Sequence, residues 1–300
     1  MQYNSKFFSF LRLEKRYSEH TLLAYETDLT QFDVFLERTY DGLADEHISP
    51  KHIRSWMVDL VLKKIQAKSI ARKLSTLKSY YKFLNKRNYT NHNPVQDVVA
   101  PKARPNRLPS FVAEKDMAYL LEHVAFGKDF AGIRNQLVFE LFYATGLRRG
   151  ELISLTNDSF DVAQQHIKVT GKGNKQRIIP ISKQLLEKIS QYNHIRKTTF
   201  PDSHYSELLL TNKGKPLYPK FVYNLVKSHL SLVTTNERKS PHVLRHTFAT
   251  NLLNNGADLN AIKTLLGHAS LASTQVYTHN TIEKIKKAYQ QAHPKAGKTD

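Results

Sequence analysis

Residues 241–268 read PHVLRHTFATNLLNNGADLNAIKTLLGH, and their punctuation predicts short helices closed by glycine. One helix is expected over 242–255, ended by Gly256, and a second over 259–266, ended by Gly267. A third is expected at about 271–278, capped by Ser270. Within the first, His242, Arg245 and His246 fall at i, i+3 and i+4, so they share one face near a helix N-terminus. The His-x-x-x-His spacing is that of zinc helices. Yet Val243 stands where the metalloprotease pattern needs a glutamate base, and Arg245 between the histidines would repel a cation. Two readings stay open from these residues: a polar helix start, or an anion site in which helix N-terminus, guanidinium fork and imidazole donors all favour phosphate.

Working outward, the charge of the whole chain favours the second. Its 300 residues carry 45 Lys+Arg against 26 Asp+Glu, a net +19. Small domains usually carry a net charge of about 2–8, so this excess points to a polyanion such as nucleic acid. A hydrophobic content of 40% argues for folded domains, and the length suits two of them. There is no cysteine, which excludes disulfides and thiolate metal sites and agrees with a cytoplasmic protein. No apolar run is long enough to span a membrane, and the first twenty residues lack the pattern of a signal peptide.

The chain divides near residue 100. Pro94, Pro101, Pro105 and Pro109 lie close together, which blocks helix and central strand alike. Residues 99–112 therefore read as a linker whose Lys102, Arg104 and Arg107 could lie along a phosphate backbone. Residues 1–98 read as entirely helical. Ser18 is placed to cap a helix bearing Leu22, Tyr25, Leu29, Phe32 and Leu36, and Ser49 a helix with Pro50 in its first turn. A helix over 69–87 puts Ile70, Leu74, Leu77, Tyr81 and Leu84 on one face. Lys68, Arg72, Lys73, Lys78 and Lys82 take the others, with no acid among them. That basic side suits DNA as well as water.

Residues 113–300 read as a larger, α-rich domain with a small antiparallel hairpin. Helices are expected over 114–124, 130–145 (ended by Gly146), 182–193 and 218–230. Strands at 166–170 and 176–181 flank a glycine-rich turn. Three more constellations carry chemistry. In ATGLRRGEL, Arg148 and Arg149 follow the helix-ending Gly146, and Glu151 lies three residues after Arg148, near enough to hold a guanidinium. VTGKGNKQR lacks the spacing of a Walker loop; it offers Lys172 between two glycines at a hairpin tip, with Lys175 beside it. STQVYTH contains Tyr277, with His268 and His279 near it in sequence. A free tyrosine is only about 0.1% phenolate at neutral pH, so attack by Tyr277 requires surrounding positive charge or a base.

Taken together and in this order, ATGLRRGEL, VTGKGNKQR, PHVLRHTFATNLLNNGADLNAIKTLLGH and STQVYTH resemble the tyrosine recombinase (phage integrase) family, most closely its bacterial Xer-type members. RYSEHTLLAYETDLTQF and SIARKLSTLKSYYKFL extend the resemblance to the family's helical, SAM-like core-binding domain, so it spans nearly the whole chain. It implies Arg148 and Arg245 as the pair on a scissile phosphate, Lys172 as hairpin-tip acid, and His242 and His268 at the imidazole positions. It further implies Tyr277 as nucleophile, Glu151 as support behind the site, and DNA contacts from Arg149 and Lys175. Arg149 stands where Xer proteins commonly carry a smaller residue. His246 is left to support the site or the packing.

The reaction so implied is a pair of transesterifications through a 3′-phosphotyrosyl intermediate, needing neither ATP nor metal. The implied partners are double-stranded DNA with a specific recombination site, a homo- or hetero-tetramer with a second recombinase, and a cell-division DNA translocase as activator. Chromosome dimer resolution at a dif-like site is the expected role. A mobile-element integrase is the alternative, ahead of a type IB topoisomerase and a non-enzymatic helix-turn-helix regulator. After Tyr277, TIEKIKKAYQQAH sets Ile282, Ile285 and Tyr289 on one side of a further helix, which the resemblance would pack into a neighbouring protomer.

Overall fold

The computed structural model describes residues 1–101, 111–171, 176–267, 289–294 and 296. Lys102, Arg104, Arg107, Lys172, Lys175, His268 and Tyr277 lie outside them, as do the helix expected at 271–278 and Ile282 and Ile285. The chain forms two compact units, Met1–Arg107 and Leu108–Asp300, and the division falls inside the proline-rich stretch. No helix among the described residues is long and apolar enough to cross a membrane.

The first unit is helical: α1 (Asn4–Ser9, running into a π-helical turn at Phe10–Glu14), α2 (Glu19–Tyr40), α3 (Pro50–Leu62) and α4 (Ala67–Lys86). Ser49 precedes α3 with Pro50 in its first turn, and the Ser49 backbone N–H donates to His52 Nδ1 at 3.0 Å. Ser18 precedes α2, but its hydroxyl meets Thr21 Oγ1 at 2.9 Å and no backbone donor. The apolar stripe expected on α4 is buried from Ile70 to Leu84 and packs with Leu29, Phe32 and Trp56.

The basic side of α4 requires a correction. Lys73 is not a surface cation: it is 4% exposed, its ammonium lies 2.9 Å from Asp28 Oδ1 on α2, and it also bonds Gln31. Arg72 is half exposed but is paired with the same Asp28, which also accepts from Thr76 Oγ1 at 2.9 Å. The neutralising acid comes from another helix, so the stretch around α4 in sequence could not show it. Lys68, Lys78 and Lys82 of this helix are exposed, as is Lys86 at its end.

The second unit contains α5 (Glu114–Glu122), α6 (Phe130–Thr145), α7 (Arg149–Ile153), β1 (Phe160–Asp161), β2 (His166–Thr170), β3 (Gln176–Pro180), α8 (Lys183–Thr199), α9 (Pro219–Val233), α10 (Pro241–Asn254) and α11 (Leu259–Leu266). The expected hairpin is part of a three-stranded antiparallel sheet in the order β1-β2-β3. In its register Ile167 faces Ile179 and Val169 faces Arg177. These four side chains turn inward, as period-2 alternation requires.

Helix α6 runs through the middle of this unit and is buried on every side from Leu137 to Thr145. Asp129 caps its start by accepting from the Gly132 N–H at 2.9 Å. Its end needs glycine. Gly146 has φ +59°, and a Cβ there would lie 2.4 Å from the Phe248 ring. That contact lets α6 and α10 approach closely. Tyr289 is buried in the core of its own unit, stacked on His293, whose Nε2 lies 2.9 Å from the Tyr143 carbonyl oxygen.

Candidate active site

Three segments converge on one carboxylate, and a fourth binds their guanidiniums. Glu151 sits in the first turn of α7, a five-residue helix that begins just after the left-handed Gly146 and was not expected from the sequence. Its Oε2 accepts the Arg148 backbone N–H at 2.7 Å, and its Oε1 accepts Arg148 Nη1 at 2.7 Å. From β3, Arg177 reaches the same group with both arms, Nη1 to Oε1 at 2.7 Å and Nη2 to Oε2 at 2.8 Å. From α10, Arg245 Nη1 lies 4.0 Å from Oε2.

The fourth segment is the end of α11, where three consecutive carbonyls each take one guanidinium. Leu265 O accepts Arg177 Nε at 2.8 Å. Leu266 O accepts Arg245 Nη2. Gly267 O accepts Arg148 Nη2 at 3.2 Å. Arg245 Nη1 also donates to Gly146 O at 2.7 Å, at the end of α6. The last carbonyls of a helix lack intrahelical partners and carry the negative end of its dipole. Arg245 thus ties two helix C-termini together. Gly267 closes α11 with φ +63°, and a Cβ on it would stand 3.0 Å from Arg177 Cδ.

Burial decides what each group can do. Arg177 is 4% exposed and Glu151 6%, whereas the Arg148 side chain keeps 39% of its surface in solvent. Burial pushes the Glu151 carboxyl up, but the Arg177 fork and the Arg148 donors outweigh it and hold the group down at about 2. Arg245 moves the other way: burial, then the positive charges of Arg148 and Arg177, lower it to about 10. Three guanidiniums against one carboxylate leave the cluster two positive charges in excess. Such a site suits a dianionic or phosphorane-like oxygen cluster.

Of the side chains singled out in the sequence, the structure brings together Arg148, Glu151 and Arg245. His242 lies one turn ahead of Arg245 on α10 and is exposed; His246 is partly buried. Arg149 and His242 also line a cleft of about 570 Å³ with Tyr223, Lys227, Arg238 and Lys239. Among the described residues no cluster of His, Asp and Glu could hold a metal ion. The residue that sequence reasoning missed is Arg177. Its signal was the alternation in QRIIPI, which puts Arg177 on the same inward face as Ile179.

With this geometry in view, comparison with known proteins defines the class. The phage integrase family matches residues 110–284, and its N-terminal SAM-like domain matches residues 5–88. The chain belongs to this family, the tyrosine recombinases, enzymes of site-specific recombination that cleave and rejoin DNA. Among its relatives, the tyrosine recombinase XerC of Chlorobaculum parvum is 35% identical over 97% of this chain and 94% of its own. XerC of Listeria innocua is 36% identical over 98% of both, and XerD of Staphylococcus haemolyticus 34% identical over 97% and 98%. The fold is shared with the XerH recombinase in a post-cleavage complex with its difH substrate (TM-score 0.71, 19% identity, 95% of this chain and 83% of that one). It is shared too with the Tn1549 transposon integrase on transposon-end DNA (TM-score 0.68, 18% identity, 95% and 98%).

Proposed function

We propose that this chain recombines duplex DNA at a specific site through a 3′-phosphotyrosyl intermediate, with Tyr277 as nucleophile. The observation that carries the reading is the net-positive cluster in which Arg148 remains solvent-accessible while Arg245 and Glu151 are fixed behind it. Tyr277 Oη attacks the phosphorus, the P–O5′ bond breaks, and Lys172 supplies the proton that leaves with the 5′-oxygen. His242 takes the tyrosine proton, and His268 donates a hydrogen bond to a non-bridging oxygen. The freed 5′-hydroxyl of one strand then attacks the phosphotyrosine of its partner, releasing Tyr277. Arg148 and Arg245 stabilise the charge that grows on the phosphorane in both steps.

The relatives named Xer, at 34–36% identity along nearly the whole chain, support resolution of chromosome dimers at a dif-like site, with a second recombinase completing a tetramer and a DNA translocase as activator. Integration of a mobile element is the second reading, favoured by the fold shared with a transposon integrase. The test is incubation with nicked suicide substrates carrying either a chromosomal dif-like site or element ends, scored for covalent adducts and strand exchange. The recombinase reading expects an adduct on one class of site. It expects Tyr277→Phe to bind the same DNA and form none; an adduct from Tyr277→Phe removes Tyr277 as nucleophile.

A further inference from the structure

Arg177 is the most thoroughly engaged side chain of the cluster and the least able to reach DNA. Each of its three nitrogens has an acceptor, two on Glu151 and one on Leu265 O. It is 4% exposed and enters from β3, behind Arg148. Replacing a buried ion pair by apolar groups is often neutral for stability, so stability alone gives no reason for a charged pair here. The shared carboxylate does. Glu151 also holds Arg148 by two bonds, and with Arg177 gone its charge would rest on Arg148, with Arg245 4.0 Å away. The cluster would fall from two excess positive charges to one, and the carboxylate would act most directly on the arginine most open to solvent.

We infer that Arg177 is a positioning residue for DNA cleavage. By taking both oxygens of Glu151 it offsets the carboxylate and keeps the cluster of Arg148 and Arg245 net positive toward the scissile phosphate, and through Leu265 O it fixes the end of α11. The inference rests on the recombinase reading above. Arg177 acts through Arg148, Arg245 and the α11 turn, so its effect belongs in the rate at saturating DNA and not in affinity.

The experiment compares wild type, Arg177→Met and Arg177→Lys. It measures thermal melting, Kd for the site duplex, and single-turnover cleavage of a suicide substrate at saturating protein, below the melting range of every variant. The expected result is cleavage slowed about 100-fold in Arg177→Met, with Kd within about threefold of wild type. Arg177→Lys keeps a cation against Glu151 but loses the fork and the Leu265 bond, so it should recover about tenfold of that loss. Adding Glu151→Gln to Arg177→Met removes the unmatched carboxylate and should also raise the rate above that of Arg177→Met. Arg177→Met cleaving within about threefold of wild type overturns the inference, as does a loss that appears in Kd alone. Should Arg177→Met fail to fold, Arg177→Lys decides: about tenfold slower cleavage with unchanged Kd supports the role, and a wild-type rate overturns it. Wild type that forms no adduct on any site overturns the recombinase reading and this inference together. A competent wild type beside an unimpaired Arg177→Met overturns the inference alone.

Discussion

At the scale of single residues, Glu151 is held ionised against its own burial, and this has a measurable sign. Its pKa is depressed in the folded protein to about 2 from an ordinary glutamate value of about 4.3. The stabilisation is therefore fully present above about pH 4.3 and is lost as pH falls toward 2; a shift of this size is on the order of 3 kcal/mol. Glu151→Gln should be less stable than wild type at neutral pH by chemical denaturation, and the gap should close across that acid window. A gap independent of pH would contradict the charge pairing. Arg245→Ala removes a guanidinium that bonds the ends of α6 and α11, so single-turnover cleavage should fall by about 100–1,000-fold. Melting should fall as well. Arg148 and Arg245 were legible in the sequence because each follows a local signal, a helix-ending glycine or a proline-led helix start. Arg177 was not, because the alternation of a five-residue strand marks an inward face but not the acid that pairs with it, and Glu151 comes from another element. Tyr277 is one of 15 tyrosines, and only its resemblance context selected it.

At the scale of elements, the two basic populations of α4 separate cleanly. Lys78 and Lys82 face solvent, and each phosphate contact they make should contribute about 0.9 to the slope of log K against log salt. Lys78→Gln with Lys82→Gln should therefore flatten that slope by up to about 2 without lowering the melting temperature. Lys73→Met should leave the slope alone but take one of two cations from the buried Asp28, which keeps Arg72 and the Thr76 hydroxyl, at a cost of about 1–3 kcal/mol in the first unit. The reverse pattern would restore Lys73 as a DNA contact. Helical periodicity revealed the apolar face of α4 but not this partition, because Asp28 lies on α2 and ion pairs between helices leave no mark in the stretch that carries one partner. The short α7 escaped for a related reason: five residues containing Gly150 have little helical pattern of their own and are held by Glu151 and its arginines. At the α6–α10 crossing, Gly146→Ala combines a left-handed φ with a clash against Phe248. It should cost about 2–4 kcal/mol of stability.

At the scale of the whole molecule, both units could be read from hydrophobic period and proline density, and the polyanion from net charge. The placement of the chain's C-terminal residues could not, since an amphipathic helix does not declare whose core it enters. Tyr289, Ala292 and His293 belong to the core of their own unit. Deletion from Thr281 onward should therefore lower the melting temperature of the second unit and weaken single-site DNA binding along with assembly. Intact single-site binding in the truncated protein would contradict that docking. The same anchoring bears on Tyr277, the proposed nucleophile. Gly267 is fixed by Arg148 on one side of it in sequence, and Tyr289 and His293 are fixed in the core on the other. A side chain about ten residues from an anchored point cannot stray more than about 35 Å from it, which corresponds to an effective concentration in the millimolar range. A tyrosine from a second copy in solution at micromolar concentration competes poorly with that. In mixtures of wild type with Tyr277→Phe, adducts should form only on half-sites occupied by wild-type protein.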